Sequence, residues 1–186
     1  MAKIDDAELS GIPGGGAGHH QPGSLTRELE RVEATNLAFY EAFTAQDLER
    51  MSRLWAQTPH VRCVHPGWEL VTGFGEVRQS WSDIFASIED IEITLNDVQL
   101  EILGSVAWVN LVVDMAITTD DGDQFEASVV TTNIFEATDG EWRMVLHHSS
   151  NFVEDDGDSD DGDGEEDTRV LGFFPPRSGS GPQSPN

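Results

Sequence analysis

Residues 105–119, SVAWVNLVVDMAITT, decide the fold because their side chains alternate in character at every second position. This period is typical of a β-strand, in which successive side chains point to opposite faces of a sheet. One face is purely apolar and is formed by Ala107, Val109, Leu111, Val113, Met115 and Ile117. The opposite face mixes apolar and polar groups: Trp108, Asn110, Val112, Asp114 and Ala116. The apolar face is therefore predicted to pack against helices or a partner subunit.

The same period of two appears in residues 91–103, 124–137 and 141–153. Short segments with turn chemistry separate the four strands, and each contains a glycine: Gly104, Gly122 or Gly140. Long strands that follow one another through short turns pair as antiparallel neighbours. The second half of the domain is therefore predicted to be a four-stranded antiparallel meander.

Helical periodicity precedes the strands. Apolar residues recur at intervals of three and four in residues 24–43, 48–55 and 73–88, and a short extended segment at 61–65 precedes the last of these. Ser24 and Asp47 are predicted to cap the first two helices. The order predicts an α+β domain in which three N-terminal helices cover one face of the sheet.

The two ends of the chain have a different composition. Residues 1–23 are rich in glycine, and residues 154–168 hold ten acidic side chains and no basic one before a stretch rich in proline, glycine and serine. Such segments bury too little apolar surface to fold alone. We expect a domain over residues 24–153, between a disordered leader and a disordered tail of residues 154–186.

Charge and composition narrow the class of partner. The formal net charge is −25, which argues against nucleic-acid binding, since that requires a basic surface. The same charge disfavours anionic lipid, and no apolar run is long enough to cross a membrane. Cys63 is the single cysteine, so no intrachain disulfide is possible. These features predict a cytoplasmic protein.

Three segments carry a family resemblance: HPGW at residues 65–68, TGFGEVRQSWSDIF at 72–85 and DGEWRMVLHHSS at 139–150. With the order of elements, they resemble the nuclear transport factor 2-like superfamily, in particular its SnoaL-like, ketosteroid isomerase-like branch. The resemblance implies a cone: a strongly bent antiparallel sheet wrapped around three helices, as in cystatin-like α+β barrels. It also implies a cavity for a small-molecule ligand, a homodimer formed through the sheet, and no organic cofactor.

Two residues are predicted to be catalytic. Asp114 would be a general base if an apolar cavity raised the pKa of its carboxyl group. The alternative is an outward Asp114 that pairs with Arg143 or water. His148 would move a proton or hold a ligand oxygen; otherwise it is a buried histidine that bonds a backbone carbonyl or Ser150. Strand parity predicts that His147 faces away from His148.

Other residues are predicted to bind the ligand. Aromatic side chains near the cavity would form its walls, and short polar side chains would hold ligand oxygens. These residues are His65, Trp68, Trp81, Asn110, Thr131, Asn133 and Ser150. His65, His148 and Asp114 are residue types that could bind a metal ion, but the sequence has no metal-binding spacing and no metal site is predicted.

The predicted function follows from this pattern. The domain would bind a small apolar organic molecule in the cone cavity, with or without cofactor-independent acid–base chemistry, so the sequence leaves open whether it is an enzyme. The alternative is a non-catalytic module that binds a ligand or assembles as a dimer. In that alternative the apolar face of residues 107–117 lies between two subunits.

Overall fold

The computed structural model describes residues 22–151, with side chains from Ser24 onward. Residues 1–21 and 152–186 lie outside the described part, so the predicted leader and tail are not tested by it. The helices are α1 (Pro22–Thr44), α2 (Leu48–Leu54) and α3 (Phe74–Ala86). The strands are β1 (Arg62–Val64), β2 (Val71–Thr72), β3 (Ile88–Leu103), β4 (Val106–Thr119), β5 (Gln124–Thr138) and β6 (Glu141–Asn151).

The helix starts follow local chemistry. The first helix begins at Pro22 rather than Ser24, because proline suits the first turn, where its missing N–H costs nothing. Ser24 therefore lies inside the helix and is not its cap. Asp47 caps α2 as predicted, and its carboxylate accepts a hydrogen bond of 2.8 Å from the backbone N–H of Arg50.

The six strands form one bent, open sheet in the order β2-β1-β6-β5-β4-β3. The four long strands are antiparallel neighbours, which confirms the predicted meander. The sheet is mixed, however, because β1 runs parallel to β6. In β3 the register shifts between Asn96 and Gln99, and Asp97 adopts a positive φ of 50°. A bulge of this kind bends a strand.

The core lies between the helices and the concave face of the sheet. The apolar set of β4, from Ala107 to Ile117, is buried there with residues of α1 and α3 such as Phe39 and Trp81. These side chains are covered within a single chain. The alternative in which Val109, Leu111, Val113 and Met115 are buried between subunits is therefore wrong.

A β-bulge changes the parity of β6 in the middle of the strand. Phe135 of β5 pairs with Met144, but the next residue back, Ile134, pairs with Leu146, so Val145 is an extra residue. Before the bulge, Trp142 and Met144 point into the core. After it, the alternation restarts one position later, and the buried side chains are those of His147 and Ser149.

Candidate functional site

A small cavity lies under the sheet, between its concave face and the helices. About 20 Å³ of it is open to the centre of a water molecule, which is roughly enough for one ordered water. Apolar and aromatic side chains form most of the wall, and no acidic or basic side chain apart from histidine lines it among residues 22–151. The lining residues are Tyr40, Phe43, His65, Pro66, Trp81, Val113, Met115, Val129, Thr131, His147 and Ser149.

Buried hydrogen bonds fix the tautomer of His147. The amide nitrogen of Asn133 donates to Asn36 Oδ1 at 2.8 Å and to the Tyr40 hydroxyl at 3.2 Å. Asn133 Oδ1 is therefore left as an acceptor, and it lies 2.7 Å from His147 Nδ1. Nδ1 carries the proton of the neutral imidazole, and Nε2 carries the lone pair.

The other side of the imidazole meets two hydroxyl groups. Ser149 Oγ lies 3.1 Å from His147 Nε2 and 2.6 Å from Thr131 Oγ1. Because neutral Nε2 can only accept, Ser149 donates to it, and Thr131 in turn donates to Ser149. The result is a directed chain of buried hydrogen bonds that ends on the lone pair of His147.

Burial sets the protonation state of this group. It lowers the pKa of His147 well below the usual value, and positive charge on His65 or His148 lowers it further. Burial also raises the pKa of the Tyr40 hydroxyl. At neutral pH the cavity therefore presents a neutral imidazole, whose Nε2 accepts a hydrogen bond from Ser149, and an un-ionised phenol.

His65 is held on the opposite wall. Its Nε2 lies 2.9 Å from Ser80 Oγ, and the Ser80 hydroxyl donates to the Val77 carbonyl at 2.8 Å. Ser80 must therefore accept from His65, so Nε2 of His65 carries a proton. Cys63 Sγ lies 3.5 Å from the same nitrogen, and burial raises the pKa of that thiol well above its usual value.

Aromatic rings bring the two histidines together. The ring of Trp81 lies 4.7 Å from that of His65 and 5.5 Å from that of His147, between ring centres, and the two imidazoles are 6.2 Å apart. The indole N–H of Trp81 is buried and has no hydrogen-bond partner among the described residues. The cavity therefore combines apolar walls with a few polar atoms, as small-molecule sites do.

Five of the predicted site residues lie at this cavity. His65, Trp81 and Thr131 line it, and Asn133 holds His147 from behind. Trp68 is half-buried, and its ring packs 4.9 Å from that of His65. The structure thus brings together the candidates from the first strand, the third helix and β5.

The other four predicted residues, Asn110, Asp114, His148 and Ser150, lie on the outer face of the sheet. Asp114 accepts hydrogen bonds from Asn96, at 2.7 Å, and from Ser128. It does not pair with Arg143, which bonds Glu141. Asn110 donates to Thr132 at 2.8 Å.

The hollow expected to be shared by Asn110, Asp114 and His148 is therefore not formed, for two physical reasons. In β4 the purely apolar set takes the buried face, so that the mixed set must face outward. In β6 the bulge at Val145 turns His148 outward and His147 inward.

Four residues of the site were not identified from the sequence. His147 and Ser149 were missed because nothing in the sequence marks the bulge. Tyr40 falls on the apolar stripe of residues 24–43, which predicts a core position and no polar role. Asn36 could have been found, because it is a polar residue on the same helical face as the buried Val32, Phe39, Tyr40 and Phe43.

Within residues 22–151, no three His, Cys, Asp or Glu side chains are placed to share a metal ion. Over the same residues, no helix has the length and apolar character needed to cross a bilayer.

Comparison with known proteins gives consistent matches. The family model for the SnoaL-like domain matches residues 32–154. A candidate dehydratase of the NTF2-like family from Streptomyces avermitilis is 34% identical, with a TM-score of 0.64 over 69% of this chain and 99% of that one. A candidate calcium/calmodulin-dependent protein kinase type II association domain from Thiobacillus denitrificans is 30% identical, with a TM-score of 0.57 over 65% of this chain and 94% of that one.

The F-box protein SKIP8 of Arabidopsis thaliana is 34% identical over 125 residues, which are 67% of this chain and 51% of that protein. The chain therefore spans about half the length of this curated relative.

Proposed function

This chain belongs to the SnoaL-like domain family of the nuclear transport factor 2-like superfamily, and we propose that its cavity binds a small, uncharged, mostly apolar organic molecule. One observation carries the proposal: a neutral His147 is held by a complete hydrogen-bond chain against an otherwise apolar and aromatic cavity. A fully satisfied network of this kind holds the imidazole in one orientation at the cavity wall.

The chemistry of the wall defines the ligand. In the described part of the chain no Asp, Glu, Lys or Arg lines the cavity, so a charged ligand would be buried there without a counter-charge, at a large cost. A ligand hydroxyl could donate to His147 Nε2 in place of Ser149. A ligand carbonyl could accept from the indole N–H of Trp81, which has no partner among the described residues. Neutral ring compounds with a hydroxyl or carbonyl group match this surface.

Binding requires the cavity to widen. Its open volume holds about one water, so side chains at its wall must move when a larger ligand enters. Met115 is suited to this because its unbranched side chain adapts readily. Trp81 is part of the wall, and its fluorescence is therefore expected to respond to a bound ligand.

The same geometry supports acid–base chemistry. His147 Nε2 would take a proton from the ligand and return it to a neighbouring atom, so that no co-reactant is needed. The lowered pKa of His147 makes it a weak base, so the step requires a ligand that gives up its proton readily. Asn133 Oδ1 holds the Nδ1 proton and keeps the ring oriented. The relative from Streptomyces avermitilis, described as a candidate dehydratase, supports this reaction class, and His147 takes the role that the sequence had suggested for Asp114 and His148.

Two neutral test ligands, 2-naphthol and 2-tetralone, check the proposal by quenching of tryptophan fluorescence. We expect saturable binding to the natural chain and to His148→Ala, and roughly fivefold weaker binding to His147→Ala, since one lost hydrogen bond is worth about 1 kcal/mol. Thr131→Val, which keeps the shape of the side chain and removes its hydroxyl, is the milder variant if His147→Ala unfolds. Equal affinity in all four chains would exclude this cavity as the binding site.

A second candidate function is assembly through the outer face of the sheet. Trp108, Val112 and Ile134 are half-buried there, and Val130 is 41% exposed. An apolar group of this kind in the middle of a sheet is typical of an interface between subunits. Sedimentation at micromolar concentration should detect a dimer, and Val130→Glu should convert it to a monomer. A natural chain that sediments as a monomer would contradict this candidate.

A further inference from the structure

We propose that Asn36, which is not part of the cavity wall, determines what kind of group the cavity accepts at His147: a hydroxyl that donates a hydrogen bond, and not an oxygen that can only accept one. The choice of ligand rests on the proposed function. The effect of Asn36 on His147 does not, because it follows from the buried hydrogen bonds alone.

Five side chains beside the cavity form a closed ring of hydrogen bonds. Asn133 Nδ2 donates to the Tyr40 hydroxyl at 3.2 Å, and Tyr40 also bonds Thr131. Thr131 Oγ1 lies 2.6 Å from Ser149 Oγ, which lies 3.1 Å from His147 Nε2. His147 Nδ1 closes the ring at 2.7 Å from Asn133 Oδ1. Because each hydroxyl has a single proton to donate, all the bonds of the ring run in one direction.

The ring can run in two directions. If the Asn133 amide turned over, its nitrogen would donate to His147 Nδ1 and its oxygen would accept from Tyr40. The hydroxyl groups would turn with it, and Nε2 of His147 would then carry the proton and donate to Ser149. All five bonds are kept in either direction, so the ring by itself does not select one tautomer of the imidazole.

Asn36 removes this symmetry. It is buried, and its Oδ1 accepts a hydrogen bond of 2.8 Å from Asn133 Nδ2. In the reversed ring the oxygen of Asn133 would take the place of that nitrogen, so two acceptors would face each other with no proton between them. A buried acceptor without a donor is costly. The contact with Asn36 therefore selects the direction that leaves the lone pair on Nε2 of His147.

The direction of the ring decides which ligand oxygen fits. Ser149 and His147 both line the cavity, and their bond of 3.1 Å is longer than the 2.6 Å between Thr131 and Ser149. A ligand hydroxyl can enter the ring at this point, because it accepts from Ser149 and donates to His147 Nε2. A carbonyl or ether oxygen has no proton for Nε2. Neutral alcohols and phenols are therefore the ligand class that the ring selects.

The experiment compares the natural chain with Asn36→Leu, Asn36→Asp and Asn110→Leu at about pH 8, where carboxyl groups are normally ionised. Leucine is close to asparagine in size but has no acceptor, and an ionised carboxylate can only accept. Asn110→Leu is the matched control, since it makes the same replacement on the outer face, where Asn110 bonds Thr132.

Nitrogen NMR of isotope-labelled histidine side chains shows which ring nitrogen carries the proton, without any ligand. The signals of His147 are assigned as those that disappear in His147→Gln. We expect the proton on Nδ1 in the natural chain, in Asn36→Asp and in Asn110→Leu. In Asn36→Leu we expect a mixture of both tautomers, because nothing then selects the direction of the ring.

Ligand preference is measured by tryptophan fluorescence with two neutral compounds of one ring system, 2-naphthol and 2-methoxynaphthalene. One hydrogen bond corresponds to roughly a fivefold difference in affinity. The natural chain, Asn36→Asp and Asn110→Leu should therefore bind the naphthol about fivefold more tightly than the ether. In Asn36→Leu the preference should fall to about twofold or less, because a proton on Nε2 can be donated to either oxygen.

The two readouts separate the effect of Asn36 from the proposed function. An unchanged tautomer in Asn36→Leu would overturn the proposal, and so would a proton on Nε2 in the natural chain or a changed tautomer in Asn110→Leu. A changed tautomer with an unchanged preference would overturn the choice of ligand. A changed tautomer with neither compound bound by any chain would support the effect of Asn36 and count against the ligand cavity. If Asn36→Leu does not fold, Asn36→Ala also removes the acceptor and suits a helix.

Discussion

The two faces of the sheet carry similar polar residues but place them in different surroundings. On the concave face Asn133, His147 and Ser149 are buried and bonded to one another. On the outer face the cross-strand neighbours Asn110, Thr132 and His148 lie at the surface or half-buried. Residue type therefore does not identify the site; the face of the sheet does.

The difference has an energetic meaning. A buried polar group that loses its partner keeps the full cost of desolvation, whereas water replaces a lost partner at the surface. None of the atoms in the His147 network is among the buried polar atoms that lack a partner in the described residues. Matched substitutions on the two faces should therefore have unequal effects.

The largest difference is expected between two tryptophans. Trp81 is 1% exposed and packs against Phe39, Phe43 and His65; Trp81→Ala should lower the free energy of unfolding by about 3–5 kcal/mol. Trp108→Ala on the outer face should cost about 1 kcal/mol, because Trp108 already contacts solvent. Urea unfolding of both variants measures the difference, and equal losses would contradict the assignment of the two faces.

The adjacent histidines provide the closest comparison. His147→Ala removes the partner of Asn133 and of Ser149 and should cost about 2–4 kcal/mol. His148→Ala should change stability by no more than about 0.5 kcal/mol. Thermal unfolding distinguishes the two. A larger loss in His148→Ala would show that β6 is a regular strand without the bulge.

The pH dependence of stability comes next in size. The pKa of His147 in the folded chain lies below its usual value of 6.5, which it takes in the unfolded chain. At a pH between the folded and the unfolded pKa, His147 is protonated in the unfolded chain and neutral in the folded chain. Stability from this residue is complete above pH 6.5 and falls as the pH drops, by up to about 1.4 kcal/mol per pH unit.

The measurement for this effect is urea unfolding between pH 5 and 7. Replacing His147 with Gln should flatten the pH dependence in this range by more than His148→Gln does. The same slope in the natural chain and in His147→Gln would mean that other groups account for the pH dependence.

The smallest effect is expected at Asp114. Its partners Asn96 and Ser128 are on the outer face, where water can replace the carboxylate. Asp114→Asn should therefore change the free energy of unfolding by about 0.5 kcal/mol or less and leave the affinity for 2-naphthol unchanged. A large fall in affinity would restore the sequence-based prediction that Asp114 acts in the ligand site.

The sequence predicted the fold well because period and turn chemistry are local. Residues 105–119 showed both the strand and its apolar face, and Asp47 marked the start of α2. The parallel pairing of β1 with β6 was missed because a three-residue strand has no period that reveals its partner.

The site was predicted only in part, for a different reason. Thr131 and Asn133 were found because β5 keeps its alternation between them. Asn110 and Asp114 were expected at the cavity because they lie on the face of β4 that mixes polar and apolar residues. In the structure the purely apolar face of β4 forms both the core and the cavity wall, so these two residues lie on the outside. His147 was missed because a one-residue bulge reverses parity without leaving a mark in the sequence.

The bulge at Val145 also explains a redundancy in the strand. Residues 147–150 read His-His-Ser-Ser, so each residue type occurs once on either side of the sheet. If the chain straightened and slipped by one position, His148 and Ser150 would take the places that His147 and Ser149 now occupy. Each of the two side-chain types has a substitute next to it on the C-terminal side, so a one-residue deletion upstream in β6 can change the frame of the strand without changing the chemistry of the wall.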